Sequence, residues 1–403
     1  MEWREKLKGF PIFYSANEII KAYGLKSGLK RLNQYYRSQC DKYEVEYNES
    51  NAISQFIDRH KKLSPLFSKK QIGELNIFWV GASKPQDESG FLQSLSRFGN
   101  VHIYNNNPIE NYGPIYASQD IHWLAARKLN DEALLKQVSL AHKQNNIDFL
   151  IGQMWAHCYS SDVLMKVRSL GIPIINIAMD DRLPIHWSTN KGYRMGSVGL
   201  GKGVDIVLTT ASETCEWYAF EQMPSIFWPL ASDAELFNSN SDEEKNIDIL
   251  FIGNRYGIRG KIIDYLSKKG LQVTCYGNGW PNGPVNAEEN TNFSKKAKII
   301  LGVSTVGYSK DVYTLKLRDF DSLMSGALYI THRNPDLLKI FSEGVHLECY
   351  ETLDELYKKI IYYLANDERR IKIANQGRDL AIGKHTWDIR LTNTFTQLGF
   401  IDS

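Results

Sequence analysis

From Leu75 onward the chain alternates short apolar runs, closed by Gly, Asn, Asp or Ser, with longer amphipathic stretches. The runs 75–80 (LNIFWV), 101–104 (VHIY), 147–151 (IDFLI), 173–177 (PIINI), 204–208 (VDIVL) and 225–228 (SIFW) predict strands, and 89–98 and 161–170 predict helices. Strands apolar throughout, rather than on alternate residues, fit a parallel sheet covered on both faces. The polar stretch 237–246 (FNSNSDEEKN) interrupts this pattern and reads as a linker. A second series follows at 247–252, 271–275, 298–303, 327–331 and 345–349. Beyond it Leu353, Leu356, Ile360, Ile361 and Leu364 share one helical stripe, with Thr352 placed to cap its start and Glu355 three residues on.

Residues 1–70 have a different texture, polar and helical, with Leu25, Leu29, Leu32 and Tyr36 at helical spacing and 41–51 as a connector. They form a helical extension or the start of the first domain. The expected fold class is α/β: a first parallel-sheet domain over 71–236, a second over 247–384, and a final helix over 385–403 packing back on the first.

A chain of 403 residues exceeds a typical single core, which supports two domains. Charged residues make up 23% and the formal net charge is +2, so no basic field suits nucleic acid. The five cysteines are scattered and odd in number, and form neither a disulfide framework nor a zinc pattern. The opening MEWREKLKGF lacks an apolar core of signal-peptide length, and no later run is long enough to span a membrane. A cytoplasmic protein is expected, with peripheral membrane association left open.

Open α/β sheets bind ligands beyond the carboxyl ends of their strands, so the loops there carry the candidate chemistry. Gly253, Asn254 and Arg255 follow strand 247–252; Tyr276 and Gly277 follow 271–275; Ser304 and Thr305 follow 298–303. The glycines permit tight turns whose N–H groups can face an anion, and Arg255 adds charge. Arg259 and Lys261 read as helix surface. The segment KLRDFDSLMSG brings Lys316, Arg318 and Asp321 to a helix start near the same rim. Cations for phosphates and a carboxylate for sugar hydroxyls suit a nucleoside diphosphate; a solvated helix end is the plain alternative. Neither GxGxxG nor a Walker A loop is present.

In the first domain the rim candidates are Gly81-Ala82-Ser83, Glu88-Ser89-Gly90, His122, His157 and the pair Asp180-Asp181 with His186. Asp181 or His186 could serve as a base toward an acceptor hydroxyl, against a solvated loop or cap. No metal-ligand cluster or DxD stands out, so no metal is expected; cations would neutralise a diphosphate instead.

The segments FIGNRYGIRGKIIDYLSKKGLQVTCYGNGW, KLRDFDSLMSGALYITHRNPDLLKIFSEGVHLECYETLDELYKKIIYYL and RIKIANQGRDLAIGKHTWDIRL resemble, in order, the CgeB-type (spore-maturation-like) glycosyltransferases of GT-B fold. The resemblance spans much of 249–391. It implies two Rossmann-like domains facing each other across a cleft, the second binding a nucleotide sugar as co-substrate. It also implies phosphate contacts for Lys316 and Arg318, and a ribose contact for Asp321, where the family motif KLRDFE has Glu. Gly253 and Arg255 match the family's glycine-rich turn; His385-Thr386-Trp387 matches its closing HTW.

The resulting expectation is a metal-independent transferase moving sugar to an acceptor glycan, lipid-linked glycan, protein or small molecule, in glycan or cell-surface polysaccharide biosynthesis. Inversion at the anomeric carbon needs a base; retention needs none when the leaving phosphate accepts the proton, and is favoured by analogy. A nucleotide-sugar epimerase or hydrolase, and a non-catalytic scaffold with a degenerate donor site, are the alternatives.

Overall fold

The computed structural model describes residues 11–81, 90–104, 123–237 and 244–402, with side chains from residue 16 onward. The candidates Ala82, Ser83, Glu88, Ser89 and His122, and most of the expected linker, lie outside the described residues. Two compact units emerge: one holds Leu32–Pro229 with the residues from Trp387 on, the other residues 11–31 with Leu230–Thr386.

Helix α1 (Pro11–Tyr43) is followed by α2 (Glu49–Leu63). The expected connector shrinks to 44–48, because α1 runs on through Tyr43 and the Asn48 side chain accepts the Asn51 N–H at 2.9 Å to start α2. The first unit then runs β1 (Leu75–Val80), α3 (Phe91–Arg97), β2 (Gly99–Ile103), α4 (Trp123–Asn145), β3 (Phe149–Gly152), α5 (Ser161–Arg168) and β4 (Ile174–Ala178). A small antiparallel pair, β5 (Thr189–Asn190) and β6 (Tyr193–Arg194), precedes β7 (Ile206–Thr209), α6 (Thr214–Phe220) and β8 (Ser225–Phe227). Its main sheet is parallel, in the order β2-β1-β3-β4-β7-β8. Strands β3 and β4 are buried at every position, which is why their sequences are apolar throughout rather than alternating.

The second unit continues with α7 (Ala234–Phe237), β9 (Ile247–Ile252), α8 (Arg259–Lys268), β10 (Thr274–Tyr276), α9 (Ala287–Lys296), β11 (Ala297–Leu301) and α10 (Arg318–Met324). After these come β12 (Leu328–His332), α11 (Pro335–Leu338), β13 (Glu348–Tyr350), α12 (Leu353–Ala365) and α13 (Asp367–Lys384). Its parallel sheet has the order β10-β9-β11-β12-β13. Both sheets are α/β and Rossmann-like. Chain direction across the sheet reverses between β1 and β3 in the first and between β9 and β11 in the second. At such points the strand-end loops diverge and leave room for a ligand.

Thr352 caps α12 by accepting the Glu355 N–H at 3.2 Å. The last helix, α14 (Trp387–Gln397), belongs to the first unit. Its Phe395 ring lies 5.2 Å from Phe98 and 5.0 Å from Phe149, and Trp228 Nε1 donates to Thr394 Oγ1 at 2.9 Å. His385 lies in the second unit, 5.1 Å from the Phe341 ring.

Candidate functional site

The rim of the second sheet is knit together by backbone. Gly253 turns the chain out of β9 at φ +150°, and its N–H donates to the Tyr276 carbonyl at 2.8 Å. Gly277, at φ +128°, lies so close that a Cβ there would meet the Gly253 carbonyl at 2.5 Å. Trp280 Nε1 donates to the Gly253 carbonyl at 2.7 Å, and the Asn254 side chain accepts the Asn278 N–H at 3.1 Å. On the other side, the Ile258 N–H donates to the Gly307 carbonyl at 2.9 Å. The loops after β9, β10 and β11 thus form one hydrogen-bonded surface.

Two guanidinium groups lie against it. Arg318, at the start of α10, reaches back so that Nε donates to the Ile252 carbonyl at 2.7 Å. Arg259, at the start of α8, is buried, donates from Nη1 to the Asn254 carbonyl at 3.0 Å and covers the Tyr256 ring at 4.2 Å. Both reach Gly253: a Cβ at that glycine would lie 2.3 Å from Arg318 Nη2 and 3.4 Å from Arg259 Nη1. Arg318 Nη1 and Arg259 Nε are buried without a hydrogen-bond partner, and neither side chain has a carboxylate at ion-pair distance among the described residues. Burial, then the neighbouring Arg318 charge, lowers the Arg259 pKa to about 10. Adjacent like charges with unspent N–H donors beside a glycine turn form an arrangement that an anion would stabilise.

This pairing revises the sequence expectation. Arg255, expected at the phosphates, is half-exposed, lies over the Trp280 ring at 5.2 Å and faces Asp264 at 3.5 Å. Arg259, expected on the helix surface, takes the inner place. The Tyr256-Gly257-Ile258 turn, with Gly257 at φ +61°, starts α8 so that Arg259 shares the buried stripe of Ile262 and Leu266. Lys261 is drawn to Glu18 of α1.

Around the arginines, Asp319 is fully buried and accepts the Lys316 N–H at 2.8 Å and the Tyr329 hydroxyl at 2.5 Å, holding the start of α10. Asp321 lies one turn from Arg318, in part exposed. Burial of its carboxyl pushes the pKa up to about 7, against the pull of the Ser232 hydroxyl and of Arg318. Ser304 is committed to Thr331 at 3.0 Å, whereas buried Thr305 Oγ1 has no partner among the described residues. The Tyr276 ring stacks on Phe293 at 4.3 Å.

In the first unit Asp181 is fully buried: the Tyr218 hydroxyl donates to its Oδ2 at 2.7 Å and Trp187 Nε1 to its carbonyl at 2.6 Å. Burial raises its pKa to about 7. Asp180, at φ +58°, turns the chain so that Asp181 points inward. That enclosure removes Asp181 from the candidate bases. His186 stays on the rim, near-parallel to the Trp155 ring at 6.3 Å, and His157 contacts the same ring at 6.0 Å. Burial lowers both imidazoles, His157 to about 4, so both are neutral at pH 7. Among the described residues no group of three or more His, Cys, Asp or Glu is placed to hold a metal ion, and no helix is long and apolar enough to cross a membrane.

A family profile described as "Glycosyl transferase-like" matches residues 259–396. No curated protein matches the chain. Among solved structures, Anabaena HepE in complex with UDP and glucose is 13% identical, with TM-score 0.56 over 80% of this chain and 99% of that one. Sucrose-phosphate synthase from Thermosynechococcus elongatus is 12% identical, with TM-score 0.56 over 82% and 99%. A glycosyltransferase from Rickettsia africae is 10% identical, with TM-score 0.54 over 81% and 98%. At these identities the likeness is one of fold, and the fold is GT-B.

Proposed function

We propose that the protein is a glycosyltransferase of the CgeB type, taking a sugar from a nucleoside-diphosphate donor held by the second unit. The observation that carries this reading is the pair of buried Arg259 and half-buried Arg318 beside Gly253, with unspent N–H donors and, among the described residues, no carboxylate partner. A diphosphate supplies the missing charge and acceptors, and the same cations stabilise the charge that grows on it as the bond to the anomeric carbon breaks. Asp321, near Arg318, accepts from the ribose hydroxyls. HepE, of the same fold, is a UDP complex, which favours a uridine nucleotide as first choice.

The acceptor falls to the first unit, where the neutral rings of Trp155, His157 and His186 border the ends of β3 and β4. Its hydroxyl oxygen bonds to the anomeric carbon, and its proton passes to the leaving phosphate when configuration is retained. Inversion would assign that proton to His186. A glycan, lipid-linked glycan, protein or small molecule fits this role, within glycan or cell-surface polysaccharide synthesis.

Calorimetric titration with a panel of UDP, GDP, CDP and dTDP sugars tests the reading. One nucleotide should bind selectively, and Arg318→Ala and Asp321→Ala should each weaken it. Folded protein that binds none of them overturns the proposal.

A further inference from the structure

Helix α1 has two unlike sides. Toward the rest of the second unit it places Glu18, 4% exposed and paired with Lys261, while Lys26, about 20° round the helix from Ile19, meets Asp311 at 2.9 Å at the edge of the outward side. On the outward side Ile19, Ile20 and Tyr23 are 68%, 68% and 72% exposed. Among the described residues only Leu66 is a more exposed large apolar side chain, at 97%, so this cluster is not ordinary surface scatter. At 100° per residue, Ile19, Ile20, Tyr23, Lys30 and Arg31 fall within one broad face, and Lys21, Lys30 and Arg31 are all exposed. Between residues 16 and 40 the helix exposes no carboxylate, since its only one there is the buried Glu18.

We infer that this face of α1 docks on an anionic lipid surface. Apolar side chains that enter the headgroup boundary, flanked by cations and with no exposed acid of the helix itself among them, match such a surface. The charge decides among occupants: a second copy of the helix would set these cations against each other, whereas anionic headgroups neutralise them. The inference stands apart from the donor reading, because none of these side chains belongs to the Arg259–Arg318 site.

Flotation of the purified full chain with vesicles tests it. Phosphatidylcholine vesicles containing phosphatidylglycerol should carry the protein at low salt, and phosphatidylcholine alone should not. Ile20→Glu with Tyr23→Glu should abolish flotation, and Lys30→Glu should lower it about fivefold or more, with melting temperatures unchanged. Three results would overturn the inference: no flotation with the anionic vesicles, flotation undiminished in the double variant, or a dimer that Ile20→Glu with Tyr23→Glu dissociates while no vesicle binds. Binding to soluble heparin that persists in that double variant, without flotation, would also overturn it, leaving only a cationic patch.

Discussion

Arg259→Met is the substitution that most directly tests why a buried guanidinium lies beside a second, half-buried one. With its pKa lowered to about 10, holding Arg259 charged at neutral pH costs on the order of 3 kcal/mol. The variant relieves that cost while its unbranched chain fills much of the same space. It also loses the bond to the Asn254 carbonyl and the contact over Tyr256, together about 1–2 kcal/mol. The ligand-free protein should therefore gain about 1 kcal/mol, a rise of roughly 2–4 °C in melting temperature. The depressed pKa sets the pH window: the penalty is full below about pH 10 and fades above it, so the gain should be constant from pH 7 to 9. Nucleotide affinity should meanwhile fall about 10- to 100-fold, the worth of a charge-assisted bond to phosphate. Scanning calorimetry of ligand-free protein and titration calorimetry with the preferred nucleotide read the two effects. A variant that melts lower and binds nucleotide as well as the parent would refute the reasoning.

Gly277→Ala should cost more than about 2 kcal/mol, because positive φ and a rigid carbonyl 2.5 Å away act together. Gly283→Ala, at φ +72° with open space around it, is the control and should cost only about 1 kcal/mol in the same melts. Asp321 predicts a pH dependence: if its carboxylate accepts from ribose, affinity for a nucleotide sugar should rise up to about tenfold between pH 6 and 8. Asp321→Asn should flatten that profile, and an unchanged slope would remove the carboxyl from the site. The raised pKa also means that this group's contribution to ligand-free stability declines as pH rises from the ordinary carboxylate range through about 7.

The strands were legible because parallel strands buried on both faces carry continuous apolar runs, and each run became a strand within a few residues of its expected place. The glycine turn at Gly253 was legible for the same local reason. Which arginine turns inward was not apparent from charge and proximity alone. Arg255 is nearer the strand in sequence, yet the turn at Gly257 directs Arg259 inward. The signal was present, since Arg259 falls on the stripe of Ile262 and Leu266, and an arginine on a core-facing stripe asks for a partner. Asp181 misled in the opposite sense. Nothing local in Asp180-Asp181 reveals that a left-handed residue buries the second carboxyl under Tyr218, because that contact spans distant segments.

The first unit is assembled from two separate stretches of chain, and this bears on when it can fold. Phe395 and Phe400 fill its core against Phe149, and the Phe400 carbonyl accepts the Lys70 N–H at 3.0 Å. During synthesis the Leu230–Thr386 part of the second unit emerges between those partners. The sheet made first must wait on the ribosome with a hydrophobic gap under β3 until the final helix arrives. The second unit, apart from the start of α1, is contiguous and has no such delay.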